Sequence, residues 1–301
     1  MRAGYLGPPG TNSHDALVAS GVEVEEAVGF ASVGAVVRAV QDGAVERGLV
    51  PTENSREGAV GATLDALVFD APDVVIVGEV VHRVTYVLVA AEPATPDEVR
   101  TVHSHPQALG QCAAFLREQL PGAAIVAEPS TADAVRAVAE GGDLAGAEPH
   151  AAIGTRHAAK LYGASVLAEG IEDDPDNATR FAWLASQGSD PLAPGPDSAP
   201  TTSGSDPAAP NEPSRFKTAL VFWGGGDLQP GWLVDCLTEF SSRAISLTRI
   251  ESRPRRIGLG HYMFFCDLAG AASNPDVAAA IAGLTAHCES VRVLGSYPGA
   301  A

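Results

Sequence analysis

Four short segments of the sequence place polar side chains beside glycines or prolines, where a predicted strand ends or a predicted helix begins. A hydrophobic core does not require such residues, whereas strand ends in α/β proteins face ligand crevices. The hydroxyl, amide and guanidinium groups in these segments can bind anions or donate protons. The segments are residues 7–14, 48–55, 102–112 and 172–184.

The first segment predicts a strand end, a glycine turn and a helix that begins at Thr11 to Ser13. Exposed backbone amides and the positive end of the helix dipole would make this turn a seat for an anion. An ordinary strand-to-helix turn capped by Thr11 or Ser13 explains the same residues. We interpret His14 as a surface or capping histidine.

The second segment predicts a buried strand that runs into Pro51 and is followed by a cluster of polar side chains, including Glu53, Asn54 and Ser55. A cluster at a strand end would face a ligand crevice. The alternative is a polar loop in which Glu53 and Asn54 hydrogen-bond their own backbone.

The third segment predicts a helix with Ser104 as its N-cap and Pro106 in its first turn. Gln107 and Gln111 are four residues apart, so both amides lie on one helix face. His103 and His105 could suggest a metal site, but no further ligand cluster supports one, and capping is the simpler role for both.

The fourth segment is an acidic, proline-broken loop that leads into an apolar strand. It delivers the hydroxyl of Thr179 and the guanidinium of Arg180 at the start of that strand. A buried arginine needs an anionic partner, which would be either a ligand or one of the nearby acidic residues.

Two patterns of predicted elements must position these segments. Over residues 1–185, short β-type runs alternate with helical ones, which indicates an α/β fold. The predicted strands are 3–6, 48–51, 74–77, 84–90 and 99–103, and the predicted helices are 14–20, 33–41, 59–69, 106–119 and 131–140. After a stretch rich in Gly, Ser, Pro and Ala, the order becomes βαββαβ, which is the ferredoxin-like pattern. Its predicted elements are strands 218–223, 245–251, 260–267 and 290–294 and helices 232–241 and 275–286.

Composition excludes several classes of protein. The 301 residues are 46% hydrophobic, which is incompatible with disorder of the whole chain, and carry a net charge of -18. Such a field repels nucleic acid and anionic membranes alike. Most of the negative charge lies in residues 1–185, which have 26 acidic and 11 basic side chains, whereas residues 216–301 have 7 of each.

The four cysteines show no CxxC pair and no zinc-like spacing. With neither a signal peptide nor an apolar run long enough to span a bilayer, we expect a cytoplasmic protein.

Together and in this order, the segments resemble the signatures of the prephenate dehydratase family. Essentially the whole chain except the linker is covered, and the combination is specific. The residues that carry the resemblance are Tyr5-Leu6-Gly7-Pro8 with Gly10-Thr11 and Ser13, Val50 to Ser55 with Gly58, Ser104 to Leu109 with Gln111-Cys112, and the tripeptide Thr179-Arg180-Phe181. Beyond the linker, Phe216 to Val221, Pro230-Gly231 and Ile250 to Pro254 look like the family's regulatory ACT domain.

The resemblance implies a catalytic domain at residues 1–185, a flexible linker at 186–214 and an ACT domain at 215–301. The catalytic domain would have two lobes, like a periplasmic binding protein, formed by residues 1–78 with 168–185 and by residues 79–167. The chain would leave the first lobe near Gly78 and return near Ala168, and the substrate would lie in the cleft between the lobes.

The implied activity is the decarboxylating dehydration of prephenate to phenylpyruvate, CO2 and water in L-phenylalanine biosynthesis, which needs no metal or other cofactor. Thr179 is the natural proton donor, while Asn54, Ser104 and Gln111 would orient the ring, its hydroxyl and the carboxylates. Pairing of Arg180 with the departing carboxylate would oppose decarboxylation, so we favour Arg180 on the retained one. The remaining predicted substrate contacts are Thr11, Ser13, Glu53, Ser55 and Phe181.

Regulation by an amino acid, with L-phenylalanine as the effector, is implied for the ACT domain, together with assembly into a homodimer or homotetramer. The predicted effector-binding residues are Gly231, Trp232, Leu233, Ser246, Glu251, Ser252, Arg253 and Pro254. Trp232 and Ser246 depart from the family's pattern, so we expect weakened or altered inhibition. Two rival functions are a diverged enzyme acting on prephenate or arogenate, and a two-lobed ligand sensor without chemistry.

Overall fold

The computed structural model describes residues 1–142, 144–192, 216–226 and 229–300. Residues 193–214 of the expected linker lie outside the described residues. Within the described part of the chain, every helix is too short or too polar to span a bilayer.

Residues 1–192 fold into strands and helices that alternate along the chain. The strands are β1 (Arg2–Leu6), β2 (Glu26–Phe30), β3 (Arg47–Asn54), β4 (Gly58–Ala59), β5 (Val74–Arg83), β6 (Val87–Ala90), β7 (Thr101–Ser104), β8 (Ala124–Ala127), β9 (His150–Gly154), β10 (Ser165–Glu169) and β11 (Ala178–Ser186). The helices are α1 (Asn12–Ala19), α2 (Val33–Gln41), α3 (Gly61–Phe69), α4 (Pro106–Gln111), α5 (Ala113–Gln119), α6 (Thr131–Glu140) and α7 (Arg156–Tyr162), with a 3-10 turn at Pro96–Glu98.

The first lobe is a sheet in the order β2-β1-β3-β11-β5, with the short β4 paired to β3. Strand β11 returns from the second lobe and inserts antiparallel between β3 and β5. Because β1 and β3 are parallel and β11 runs against them, the ends of β1 and β3 and the start of β11 share one edge of the sheet. Three of the four polar segments therefore meet at that edge.

The second lobe is a sheet in the order β10-β6-β9-β7-β8, in which β7 runs parallel to β9. The chain crosses between the lobes twice, after β5 and before β11. Strand β5 stays in the first sheet until Arg83, and Ala168 still lies in β10 of the second sheet, so both crossings lie later than expected near Gly78 and Ala168. Two α/β lobes joined in this way form the arrangement of a periplasmic binding protein, as the family resemblance implied.

The C-terminal region has the predicted ferredoxin-like βαββαβ order. Its elements are β12 (Phe216–Trp223), α8 (Trp232–Ser241), β13 (Leu247–Pro254), β14 (Tyr262–Ala269), α9 (Pro275–His287) and β15 (Ser290–Pro298). The strands form an antiparallel sheet in the order β13-β14-β12-β15, which fits an ACT-like domain. Both helices cover one face of this sheet and bury a shared core that includes Phe222, Cys236 and Leu284.

Sequence periodicity predicted several helices without error. The bounds of α2 agree with the prediction because Val33, Val36, Val37 and Val40 recur at helical spacing and are all buried. The side chain of Ser32 accepts a hydrogen bond from the backbone N–H of Ala35 and so fixes the start of the helix.

Other predicted elements were wrong in extent. Strand β3 continues past Pro51 to Asn54, and residues 84–86 are not part of a strand. The helix predicted over residues 106–119 is two helices that meet at Cys112, a residue without helical dihedral angles. The elements that the sequence patterns did not predict are β2, β4, β8, β9, α7 and β10, whose short runs carry weak periodicity.

The face of the C-terminal sheet without helices packs directly on the first lobe. Val221, Phe265 and Leu294 from this sheet share one buried cluster with residues of α2, α3 and β5. Gly295 lies so close to Ile76 that a Cβ atom at Gly295 would collide with the carbonyl oxygen of Ile76. The first lobe and the C-terminal sheet therefore form one continuous core.

We expect Gly295→Ala to destabilise the protein by about 1 to 3 kcal/mol, because the added methyl group overpacks this contact between backbones. Gly110→Ala is the control, since a Cβ at Gly110 has no neighbour within 4 Å and alanine favours its helix. Urea unfolding measures both variants. Equal stability of the two variants would show that the β15 to β5 contact can relax.

Candidate active site

Asn54 and Thr179 form the centre of the polar cluster between the lobes. Asn54 ends β3, Thr179 begins β11, and the two residues are opposite each other in the antiparallel pairing. The Asn54 side-chain amide donates to the Thr179 hydroxyl oxygen at 3.0 Å and to Asn177 Oδ1 at 2.9 Å. Because the Thr179 oxygen accepts this bond, the hydroxyl keeps its own proton to donate.

The backbone around Asn54 holds its side chain in one orientation. Asn54 Oδ1 accepts hydrogen bonds from the backbone N–H groups of Arg56 at 3.0 Å and Glu57 at 3.1 Å. With the oxygen engaged by this turn, the amide nitrogen faces Thr179. The sequence alternative in which Asn54 hydrogen-bonds its own backbone is therefore present, and it is compatible with the contact to Thr179.

The second lobe contributes Gln111 to the cluster. Its Oε1 accepts from Asn177 Nδ2 at 3.0 Å, and its Nε2 donates to Glu57 Oε1 at 3.4 Å. Gln107 Nε2 donates to the same Glu57 oxygen, so both glutamines do lie on one helix face. Glu57 thus bridges the first lobe to α4 of the second.

Sequence reasoning missed Asn177 and Glu57. Asn177 is buried and links Asn54 to Gln111, while Glu57 carries the bridge between the lobes. Both lie within three residues of predicted site residues. Their closeness in sequence to the predicted site residues is the one feature that could have identified them, because neither residue is part of an amphipathic pattern.

Tyr86 lies where the chain first crosses between the lobes, and its hydroxyl contacts Asn12 at the start of α1. The Asn12 amide donates to the Tyr86 hydroxyl at 3.4 Å, while Asn12 Oδ1 is buried and has no hydrogen-bond partner among the described residues. Burial raises the pKa of Tyr86 to about 12, so its phenol is neutral at pH 7 and can donate a hydrogen bond. Burial also raises the pKa of the nearby Cys112 thiol, which makes it a poor nucleophile.

Thr11 is the N-cap of α1, as one sequence interpretation held. Its hydroxyl accepts from the His14 N–H at 3.4 Å and donates to the Leu6 carbonyl at 2.9 Å. Ser13 is buried in the first turn. His14 is half-buried: its ring stacks on Tyr5 at 4.7 Å, and its Nδ1 accepts from the Gly10 N–H at 3.0 Å in the turn before the helix, which is a capping-type contact.

The structure corrects the predicted roles at the end of β7. The helix is capped by His105, and Ser104 belongs to the strand, where its hydroxyl donates to the Ile153 carbonyl at 2.7 Å. His103 is not a cap either, because its buried ring lies 2.9 Å from Glu128 and 3.1 Å from His150. Among the described residues, no three His, Cys, Asp or Glu side chains form a group that could hold a metal ion.

Arg180 lies on the opposite face of β11 from Thr179. Its Nε donates to Glu53 at 3.2 Å, and its NH1 donates to Glu79 at 2.9 Å. Of the two partners that the sequence allowed for Arg180, a ligand or acidic residues of the protein, the structure shows the acidic residues. One of them, Glu79, is distant from Arg180 in sequence. Neither Arg180 nor Glu53 belongs to the cluster of amides around Thr179.

Two further predicted substrate contacts occupy different surroundings. Ser55 joins the cluster, since its hydroxyl accepts from the Ala178 N–H at 3.0 Å and donates to Asn177 Oδ1 at 3.4 Å. Phe181 instead packs in a buried apolar cluster with Tyr5, Leu49 and Trp183, where a ligand does not reach it. The expectation for Phe181 was wrong because a ring at this position of β11 faces α1 and the core.

The C-terminal region has a pocket of about 190 Å³ at the start of α8. Three predicted effector-binding residues line it, namely Gly231, Trp232 and Leu233, together with Tyr262 and Phe264 among others. The Trp232 indole packs on Phe222 and Phe264 and donates to the His287 carbonyl at 2.8 Å, so it fills the core instead of projecting from the turn.

The other predicted effector-binding residues lie outside this lining. Ser252 pairs with Phe264 across the strands, which places it beside the pocket. Arg253 faces the first lobe and forms a bidentate ion pair with Asp65 at 3.0 and 2.8 Å. The residues that the structure does not bring to the pocket lining are Ser246, Glu251, Ser252, Arg253 and Pro254.

Comparisons with known proteins point to one family. The sequence model described as prephenate dehydratase matches residues 3–189. The bifunctional chorismate mutase/prephenate dehydratase of Stutzerimonas stutzeri is 37% identical over 298 residues, covering 99% of this chain and 73% of that protein. The prephenate dehydratase of Mycolicibacterium smegmatis is 37% identical over 308 residues, covering 99% of this chain and 90% of that protein. The crystal structure of the Arthrobacter aurescens prephenate dehydratase in complex with L-Phe has a TM-score of 0.82 and 33% identity, covering 99% of this chain and 90% of that one.

We expect Asn177→Ala to destabilise the protein by about 1 to 3 kcal/mol, because it leaves the buried amides of Asn54 and Gln111 without a shared partner. Gln41→Ala removes two exposed hydrogen bonds with Asp73, one in each direction, and should change stability by less than about 0.5 kcal/mol. Urea unfolding compares the two. A cost at Asn177 no larger than at Gln41 would contradict the central position of Asn177 in the cluster.

Proposed function

This chain belongs to the prephenate dehydratase family, and from that premise we propose that it converts prephenate to phenylpyruvate, CO2 and water in the cleft between its lobes. The observation that carries this proposal is the bond from the Asn54 amide to the Thr179 hydroxyl. Incubation with prephenate while monitoring phenylpyruvate by its ultraviolet absorbance tests it. Consumption of prephenate without phenylpyruvate would instead indicate a diverged enzyme, and no consumption would indicate a ligand sensor.

The reaction needs a proton more than it needs a nucleophile. Loss of CO2 and hydroxide makes the ring aromatic, so product stability drives the reaction and the enzyme must protonate a poor leaving group. The overall reaction transfers no electrons to an acceptor, and we propose no cofactor. We assign the proton donor to Thr179, because Asn54 occupies the hydroxyl oxygen and leaves the proton directed elsewhere.

Neutral amides orient the substrate in this proposal. Asn54, Asn177 and Gln111 form one hydrogen-bonded chain that connects Thr179 to the second lobe. The bridge from Glu57 to Gln107 and Gln111 holds the lobes together over the reacting ring. A substrate enclosed in this way reacts in a fixed orientation, which lowers the entropic cost of the reaction.

We no longer assign Arg180 to the retained carboxylate of the substrate. Its guanidinium already has two carboxylate partners, and a substrate would have to displace one of them. We propose that the carboxylate binds instead at the start of α1, to the backbone N–H groups of Asn12 and Ser13 and to the Tyr86 hydroxyl.

We propose that L-phenylalanine regulates the enzyme at the pocket beside Gly231 in a homodimer or homotetramer. Ile250 is 46% exposed and Tyr262 is 43% exposed on the side of the sheet where the pocket opens. Apolar side chains around an open pocket are what a second copy of the sheet would cover. We also propose a cytoplasmic location, where a biosynthetic enzyme meets its substrate.

Thr179→Val should lower kcat by roughly 100-fold or more while changing KM less, because it keeps the volume and removes the proton donor. Thr179→Ser keeps the hydroxyl and should retain most of the activity. Steady-state assays of phenylpyruvate formation measure both variants. Near-natural turnover by Thr179→Val would rule out the assignment of Thr179 as the acid.

Ile250→Asp should convert the oligomer to a monomer and raise the phenylalanine concentration for half inhibition by roughly tenfold or more, because a charge on the paired face opposes its burial. Ile125→Asp, at an exposed position on β8 in the second lobe, is the matched control. Light scattering and phenylalanine titration measure both variants. A monomeric natural chain would contradict pairing through this face.

A further inference from the structure

The side chain of Glu79 is the most deeply buried carboxylate between the first lobe and the C-terminal sheet, with 1% of it exposed. Its Oε1 accepts from Arg180 NH1 at 2.9 Å, from Lys217 Nζ at 2.8 Å and from the Ala300 N–H at 2.7 Å. Its Oε2 is buried and has no partner among the described residues. Three separate parts of the chain therefore converge on one oxygen atom.

The three donors connect the proposed active site to the C-terminal region. Arg180 belongs to the tripeptide that contains Thr179, Lys217 lies in β12, and Ala300 follows β15. An ion pair buried in this way is costly to desolvate, and apolar residues of similar size often give equal or greater stability. Stability alone therefore does not account for a carboxylate at position 79.

The arginine held by Glu79 also links the two strands that carry the proposed active site. Arg180 is opposite Glu53 on β3 and pairs with it at 3.2 Å. The next pair along the strands, on the opposite face, is Thr179 with Asn54. The pairing of β11 with β3 is irregular between Arg180 and Phe181, whereas the pairing of β11 with β5 is regular over residues 178–183. The ion pair of Arg180 with Glu53 adds a side-chain link between β3 and β11 beside the irregularity.

We propose that Glu79 is a positioning residue: it holds Arg180, and through Arg180 it places the Thr179 hydroxyl against Asn54. Because Lys217 shares the same carboxylate oxygen, a shift of β12 changes how firmly Arg180 is held. The proposed effector pocket lies on the face of the C-terminal sheet that carries the helices, opposite the face that contacts the first lobe. The contact from Lys217 through Glu79 to Arg180 thus couples that pocket to the active site. This inference rests on the proposed function.

The first test is Glu79→Gln, which keeps the shape and removes the charge that holds two cations. We expect kcat to fall by roughly tenfold with KM changed by less than about threefold, because a misplaced proton donor affects the transition state more than substrate binding. Glu79→Asp should recover part of kcat. Circular dichroism confirms that the variants are folded. A kcat for Glu79→Gln within about twofold of the natural value would overturn the inference.

The second test compares two cations that join the same two units. Lys217→Met removes the link to Glu79, whereas Arg292→Met removes contacts to the carbonyl groups of Leu67, Ala71 and Val74 on the first lobe. Both variants lose a contact between the units, but only Lys217→Met affects Glu79. We expect Lys217→Met to raise the phenylalanine concentration for half inhibition by roughly fivefold or more and Arg292→Met to leave it within about twofold.

Two results would overturn the coupling through Lys217. One is an equal change in the response to phenylalanine for Lys217→Met and Arg292→Met, which would mean that only docking of the two units matters. The other is a natural chain whose turnover phenylalanine does not affect. If the natural chain forms no phenylpyruvate from prephenate, the proposed function fails and this inference fails with it. If the natural chain is active and the Glu79→Gln variant is equally active, the proposed function stands and only this inference fails.

Discussion

The antiparallel pairing of β3 with β11 is the constraint on which the candidate site depends. It joins segments more than a hundred residues apart and places Asn54 beside Thr179 on one face and Glu53 beside Arg180 on the other. Neighbouring residues of a strand point to opposite faces, so one pair of strands serves both the cleft and the contact with the C-terminal sheet. Any displacement of β11 therefore changes both faces together.

The cluster around Thr179 consists of neutral hydroxyl and amide groups together with the Glu57 carboxylate, in a strongly acidic part of the chain. A dianionic substrate approaching this lobe meets a field of like sign, which the protein must offset locally. Backbone amides at a helix start and side-chain amides can bind carboxylates without introducing cations that would pair with the surrounding acids. Arg180 illustrates this competition, because Glu53 and Glu79 already bind its guanidinium.

The C-terminal sheet completes the core of the first lobe instead of being a separate appendage. Its face without helices shares a buried cluster with α2 and α3, and Arg253 and Arg292 reach across to residues of the first lobe. A change in this sheet is therefore transmitted through packed atoms, since cores of native density deform little. The pocket beside Gly231, by contrast, opens on the other face, where the side chains of Ile250 and Tyr262 are exposed.

The sequence by itself determined the fold class, the βαββαβ order of the C-terminal region, and helices such as α2 whose periodicity and caps are local signals. It also identified the segments of the candidate site, because their residue types and order are specific. Only the tertiary structure decided which face each side chain occupies. Arg180 turns to Glu79, Phe181 enters the core, Ser104 bonds to Ile153, and Asn177 and Glu57 join the cleft. The physical reason is that strand pairing, register irregularities and the docking of a second sheet are contacts between distant segments, and no local pattern encodes them.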